Sequence, residues 1–209
     1  MHCTWLVSEV VQHMLRGGVN PIVTVLDCSK AFDKCKLVRL LDKGLPPVVI
    51  RVIAHIYMEQ YGWVKWGDSK SSQMTISNGT RQGAILSPIF WAVYADPLLQ
   101  RLRDLGLGAH VGGFFMGAVC YADDVLLIAP TRSAMQRMLF KMETFAEDSN
   151  IEFSTNPVPS KSKTKCIFAI GKNTNIVKPA HLILFGRELP YVGHADHLGN
   201  TLTEKGDME

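Results

Sequence analysis

Apolar residues recur at helical spacing at Leu6, Val10, Val11, Met14 and Leu15, and predict an amphipathic helix over residues 5–16 that Gly17-Gly18 closes. Pro21 then introduces the β-branched run Ile22-Val23-Thr24-Val25-Leu26, which reads as a buried strand ending in Asp27. A second helix is expected over 34–43, stopped by Gly44. Pro46-Pro47 opens a third, with Val49, Val52, Ile53, Ile56 and Tyr57 on one face. Trp63-Val64-Lys65-Trp66 and Met74-Thr75-Ile76 alternate around the polar segment 67–72, as a hairpin does. Ser87-Pro88 starts a long helix reaching about Leu105. Residues 118–129 are strand-like on both sides of an acidic pair. Met135, Met138, Leu139, Met142 and Phe145 mark another amphipathic helix, capped by Thr131 or Ser133. A polar loop over 154–165 follows, then short strands at 166–170 and 182–185, and a fraying tail. Helices and strands interleave without repeats or regular βαβ alternation. The class is therefore α+β, an antiparallel sheet with helices packed on one face.

The chain's 209 residues can bury a sizeable core as one domain, and 47% apolar content describes a globular protein. A net charge of +3 permits a polyanionic partner without requiring one. The five cysteines, Cys3, Cys28, Cys35, Cys120 and Cys166, form no CxxC pair and read as reduced thiols of an intracellular protein. His194 and His197 have HxxH spacing, but no Cys or His lies at finger spacing, so two loop histidines are expected rather than a zinc site. No apolar run approaches membrane-spanning length, and no signal peptide opens the chain.

The informative chemistry is acidic. Asp123 and Asp124 stand between the apolar runs Val119-Cys120 and Val125-Leu126-Leu127-Ile128. Burying such a pair unpartnered carries a penalty of several kcal/mol. Either the pair is a solvated surface turn, or it sits at a hairpin tip facing a cation. Asp27 repeats the context at the end of its own apolar strand. On adjacent strands, Asp27 and Asp123 would converge on hard cations such as Mg²⁺, with positions left for water and phosphate oxygens. The residues by themselves point to metal-dependent phosphoryl transfer.

Five segments in order carry a resemblance. Leu26-Asp27-Cys28-Ser29-Lys30-Ala31-Phe32-Asp33 resembles motif A of reverse transcriptases. Asn78-Gly79-Thr80-Arg81-Gln82-Gly83-Ala84-Ile85-Leu86-Ser87-Pro88 is similar to their motif B, and Tyr121-Ala122-Asp123-Asp124 to the YxDD of motif C. Lys161-Ser162-Lys163-Thr164-Lys165 resembles the lysine-bearing motif D, and His197-Leu198-Gly199 the "LG" of motif E. The wording is most like that of non-LTR (LINE-type) retrotransposons, over a motif-bearing core at 17–203.

The resemblance implies a polymerase palm that copies an RNA template from a DNA primer with deoxynucleoside triphosphates. It implies two Mg²⁺ ions, with Mn²⁺ as a substitute, bound by Asp27 and Asp123 and supported by Asp124. Cys28, Ser29, Lys30 and Ala31 would hold the triphosphate through backbone N–H groups of a turn. Phe32 stands where an aromatic ring blocks a ribose 2′-hydroxyl; core packing is its other reading. Gln82 would contact template and nucleotide, Gly83 would admit the nascent base pair, and Arg81 is a phosphate contact or a solvated loop residue. Lys163, ahead of Lys161 and Lys165, is the choice for protonating the leaving pyrophosphate; a solvated loop is the alternative.

With about twenty residues before motif A and seven after Leu202, the expectation is a single domain over 1–209, a palm with part of the fingers, truncated at both ends. The rest of the fingers, the thumb and the endonuclease region would belong to a longer parent, working in the nucleus. A truncated, non-catalytic palm remnant that binds nucleic acid weakly is the competing reading.

Overall fold

The computed structural model describes residues 2–29, 31–35, 43–76, 79–81, 83–156, 158, 161–171 and 177–207. In chain order the elements are α1 (His2–Arg16), β1 (Ile22–Ser29), α2 (Ala31–Lys34), α3 (Pro47–Met58), β2 (Tyr61–Gly62), β3 (Lys65–Trp66), β4 (Ser69–Lys70) and β5 (Met74–Thr75). They continue with α4 (Ser87–Leu105), β6 (His110–Val111), β7 (Phe114–Phe115), β8 (Ala118–Tyr121), β9 (Asp124–Ala129) and α5 (Arg132–Ser149). The last are β10 (Glu152–Phe153), β11 (Lys165–Phe168), β12 (Leu182–Leu184), β13 (Arg187–Leu189), β14 (His194–His197) and β15 (Asn200–Thr203). The chain resolves into two compact units, residues 1–29 with 97–209, and residues 30–96.

The first unit is built on β1. Along one edge β1 pairs with β9, which pairs onward with β8. Along the other edge Ile22 to Val25 pair with β11, and Cys28 and Ser29 pair with β10. Each of these strand pairings is antiparallel. The run of β-branched residues reflects burial on both faces, because Ile22 to Leu26 and Val125 to Ala129 are all buried. One face, carrying Val23, Val25, Leu126 and Ile128, packs with Val7, Val10, Val11 and Met14 of α1 and with Ala195 and Leu202 of the β14–β15 hairpin. Helix α5 packs on β9 and β12 through Met135, Met138, Leu139, Met142 and Phe145. Each such side chain contributes on the order of 1.5–3 kcal/mol when fully buried. Thr131 caps α5, its side chain accepting from Ala134 N–H at 3.1 Å, and Asn150 ends the helix in the left-handed conformation.

The second unit gathers around the first turns of α4. Tyr57 meets Phe90 edge-on at 5.1 Å between ring centroids, and Trp91 lies 5.8 Å from Tyr94. The division between units falls inside α4 at Pro97, which lacks the N–H that the helix would otherwise use.

Several expectations change. β1 continues through Asp27 to Ser29 because β10 offers it a partner, so Asp27 is not the last residue of its strand. The helix expected over 34–43 lies mostly outside the described residues; α2 ends at Lys34. On α3, Tyr57 is buried, but Val49, Val52 and Ile56 are exposed. The tail does not fray: β14 and β15 form a hairpin, and Gln12 Nε2 donates to Lys205 O (2.8 Å) and Asp207 Oδ1 (3.1 Å). The two histidines sit on a strand rather than a loop. Three-residue spacing there turns them to opposite faces, leaving His194 exposed and His197 buried, so they cannot share an ion.

None of the five cysteines is in a disulfide. Burial pushes the Cys166 thiol up to about 12 from 9.0, partly offset by Thr24 Oγ1 at 3.4 Å, and burial does the same to Cys120. Below pH 9 both folded and unfolded chains keep these protons, and their contribution to stability is intact. Between pH 9 and about 12 only the unfolded chain releases them, so stability falls as pH rises. Urea midpoints measured across that range should decrease. The slope with pH, read separately from absolute stability, should flatten in Cys166→Ala.

Candidate active site

The β1–β9 register decides the site. Asp27 is the cross-strand partner of Asp124, and Tyr121 is the partner of Asp124 where β8 meets β9. Only Ala122 and Asp123 remain to make the connecting turn. Ala122 has φ 51°, the left-handed value expected at the first central position of a tight hairpin, where glycine is the usual occupant. This alanine costs roughly 1 kcal/mol and fixes Asp123 immediately before the strand.

The three carboxylates feel one another. Burial pushes the Asp124 carboxyl up, the nearby His197 ring pulls it down, and the negative charges of Asp123 and Asp27 raise it again. Like charges gathered at a partly desolvated strand end call for a cation. Among the described residues, no three His, Cys, Asp or Glu side chains form a metal cage on their own.

Segment 161–165 reaches the same place by strand-like alternation. Ser162 and Thr164 are buried, whereas Lys161 and Lys163 are exposed. Thr164 Oγ1 accepts from Asp27 N–H at 3.4 Å, and Ser154 N–H donates to Asp27 O at 2.8 Å. Lys163 Nζ lies 3.7 Å from Asp27 Oδ2, making it the lysine of this segment paired with the carboxylate. With the Lys163 side chain 72% exposed, that ion pair contributes less than about 1 kcal/mol. Its importance is positional.

Cys28 and Ser29 are strand residues paired with Phe153 and Glu152, so the expected turn is not formed at these two positions. Lys30 lies outside the described residues, and Ala31 opens α2. In the second unit, the half-buried Phe32 ring is 6.1 Å from Trp91, and Phe32 O accepts from Thr80 N–H at 2.8 Å. Gly79 has φ +88°, and a Cβ there would come within 2.8 Å of Asp33 backbone atoms, so only glycine fits. Arg81 Nε donates to Gln60 Oε1 at 3.1 Å, Gln82 lies outside the described residues, and exposed Gly83 has φ +82° with open space around it.

The residues missed from sequence are Thr164, Ser154 and His197. The alternation within Lys161-Ser162-Lys163-Thr164-Lys165 was a usable signal for Thr164. His197 is 2% exposed, and neither ring nitrogen has a hydrogen-bond partner among the described residues. Burial lowers its pKa while Asp124 raises it. Only the pairing of β14 with β15 reveals that its alternation turns it inward.

Gathering these charges opposes folding. Asp124→Asn should therefore raise stability in metal-free buffer at neutral pH, by roughly 0.5–1 kcal/mol. Denaturant unfolding in the presence of a chelator measures this; a loss of stability would contradict the electrostatic account.

The family model described as "Reverse transcriptase (RNA-dependent DNA polymerase)" matches residues 3–177. The chain is 29% identical over 215 residues to the Retrovirus-related Pol polyprotein from type-1 retrotransposable element R2 of Nasonia vitripennis, covering 99% of this chain and 20% of that protein. It is 29% identical over 171 residues to the Pol polyprotein from type-2 retrotransposable element R2DM of Drosophila melanogaster, covering 77% of this chain and 16% of that protein. It therefore spans a fifth or less of these relatives' length. Among solved structures, telomerase from Candida albicans in complex with a TWJ fragment of telomeric RNA matches with a TM-score of 0.60. That match has 13% identity and covers 99% of this chain and 33% of the other, a likeness of fold alone. The chain belongs to the reverse transcriptase (RNA-dependent DNA polymerase) family, in the lineage of non-LTR, LINE-type retrotransposons.

Proposed function

We propose that this chain carries the catalytic carboxylates of an RNA-directed DNA polymerase that extends a DNA primer on an RNA template for a retrotransposon. The observation that carries this reading is the register of Asp27 with Asp124, with Asp123 in the adjoining turn. Asp27 and Asp123 would hold two divalent ions, Mg²⁺ by the hardness of the donors, and Asp124 would support them. When bound, such ions lower the pKa of the primer 3′-hydroxyl and neutralise charge on the leaving pyrophosphate.

The chain's own residues do the rest. The hydrogen bonds from Ser154 and to Thr164 hold Asp27 on both sides of its peptide, fixing the carboxylate that defines the reacting position. Lys163 Nζ, beside Asp27 and open to solvent, donates a proton to the pyrophosphate as it leaves. By its place in the motif after Asp27, Phe32 would exclude a ribose 2′-hydroxyl from the incoming nucleotide. By their place in the motif, Arg81, Gln82 and Gly83 would serve template and base pair. Endonuclease, thumb and remaining fingers regions of a longer parent protein, and a nuclear site of action, complete the proposal.

The test is a chimera in which this chain replaces the matching segment of its Nasonia relative. Primer extension on RNA should require Mg²⁺, and Asp123→Asn should reduce it by three or more powers of ten, roughly 4–7 kcal/mol. Equal extension with and without the substitution would refute the site. Lys163→Gln should slow the chemical step by roughly 10²-fold or more in single-turnover measurements.

In the same chimera, Phe32→Ala should raise ribonucleotide use relative to deoxyribonucleotide use by roughly tenfold or more, read as a ratio of kcat/KM values. DNA synthesis should persist. Unchanged discrimination would return Phe32 to packing against Trp91.

A further inference from the structure

Between α3 and the segment resembling motif B, the chain runs out and back as a narrow two-stranded arm. β2 pairs with β5 and β3 with β4, and Val64 and Ser71 join them by two 2.9 Å hydrogen bonds, one through Ser71 Oγ. Every residue from 63 to 76 is exposed. Trp63 is 52% exposed, and Trp66, beside the turn at 67–68, is 85% exposed. Two indoles in water within four residues are unusual for side chains that normally contribute so much on burial.

Their neighbours define the chemistry. Lys65 faces Lys70 across the strand pair, and Lys70 Nζ lies 4.0 Å from the centre of the Trp63 ring. Asp68 is the single acid of the arm, against two lysines. Protein-binding patches are depleted in lysine at their centre, whereas surfaces for unpaired nucleic acid interleave aromatic rings with basic groups. The arm is also anchored. Gln60, 4% exposed, accepts Ile76 N–H at 2.8 Å, donates to Tyr57 O at 2.9 Å and accepts from Arg81 Nε at 3.1 Å. The arm's base is thereby fastened to Arg81.

We propose that this arm is a stacking platform for an unpaired RNA strand, with Trp63 and Trp66 taking bases and Lys65 and Lys70 taking the flanking phosphates. The choice of RNA rests on the polymerase reading above; the stacking chemistry does not. On that reading the strand is template that has not yet been copied.

The test uses the full chain, a fluorescein-labelled 12-nucleotide oligo(U) RNA, and a chelator in place of metal and nucleotide. Anisotropy should report binding at low salt, with quenching of tryptophan fluorescence. Trp66→Ala should weaken binding at least fivefold, and Trp63→Ala comparably. Trp66→Phe, which keeps a π face, should retain most affinity, while Trp66→Leu, which keeps apolar area, should not. Lys65→Gln with Lys70→Gln should flatten the plot of log K against log salt by about 1.4. The variants at Trp66 carry the decision should Trp63→Ala disturb the arm. No binding by the parent chain, or equal binding by Trp66→Leu, overturns the proposal, the latter favouring a protein segment of the longer relatives as occupant. Asp123→Asn should bind the oligonucleotide normally, so failure of the arm and failure of the carboxylate site give different results.

Discussion

Everything at the candidate site depends on the antiparallel pairing of β1 with β9. Side chains on paired strands alternate with an exact period of two, so a slip of one residue would turn Asp27 away from Asp124 and drive Val23 and Val25 out of the α1 face. The core therefore enforces the register that the chemistry needs. Val23 opposite Ile128 and Val25 opposite Leu126 lock the strands from one side, while Thr24 and Leu26 are buried toward the other. A one-residue error would expose or misplace several buried side chains, each contributing on the order of 1.5–3 kcal/mol. That far exceeds any repulsion among three partly solvated carboxylates. Hydrophobic packing thus holds together an arrangement that electrostatics alone would push apart.

The same balance explains how the site is dressed. Lys163 lies against Asp27, while burial disfavours the charged form of both Asp124 and His197. Thr164 and Ser154 bind the Asp27 backbone, leaving its side chain one-third exposed and available. A fully buried and fully paired Asp27 would be more stable and useless to a cation. The alternation of 161–165 does both jobs with one stretch, because its small hydroxyls point inward to hold the strand and its lysines point outward.

Much of this was readable in the sequence because it rests on local pattern. The strand from Ile22, the helix from Ser87 to Leu105, the hairpin across Tyr121-Ala122-Asp123-Asp124 and the helix beginning after Thr131 all follow from periodicity, caps and breakers. What was not readable depends on partners distant in the chain. β1 extends past Asp27 only because Glu152 and Phe153 lie beside it, and nothing in residues 27–29 announces that. The C-terminal hairpin looked like a fraying tail because its alternation, His194-Ala195-Asp196-His197, contains one strong apolar residue at most. Its inward face is legible only once α1 and the sheet are seen to cover it. The two histidines were read as loop residues for a related reason: only the pairing of β14 with β15 shows them on a strand, where three-residue spacing turns them to opposite faces. Phe32 shows the limit in another form, since contact with Trp91 satisfies packing while its place after Asp27 satisfies the motif, and one does not exclude the other.

Among the described residues no three-ligand cage stands ready, and on the proposed reading this bears on how the site operates. A cage of protein oxygens would bind its cation whether or not a nucleotide were present. Here, on that reading, the carboxylates would leave positions for water or for the triphosphate itself to fill. On the proposed reading, each ion then binds more tightly with nucleotide present, and by linkage nucleotide binds more tightly with the ion present by the same factor. The partial burial of Asp124 sharpens this coupling, because a group whose charged form is disfavoured alone gains most when a cation arrives. On that reading an incomplete ligand set would act as a specificity device, making assembly of the reactive arrangement conditional on the substrate that completes it.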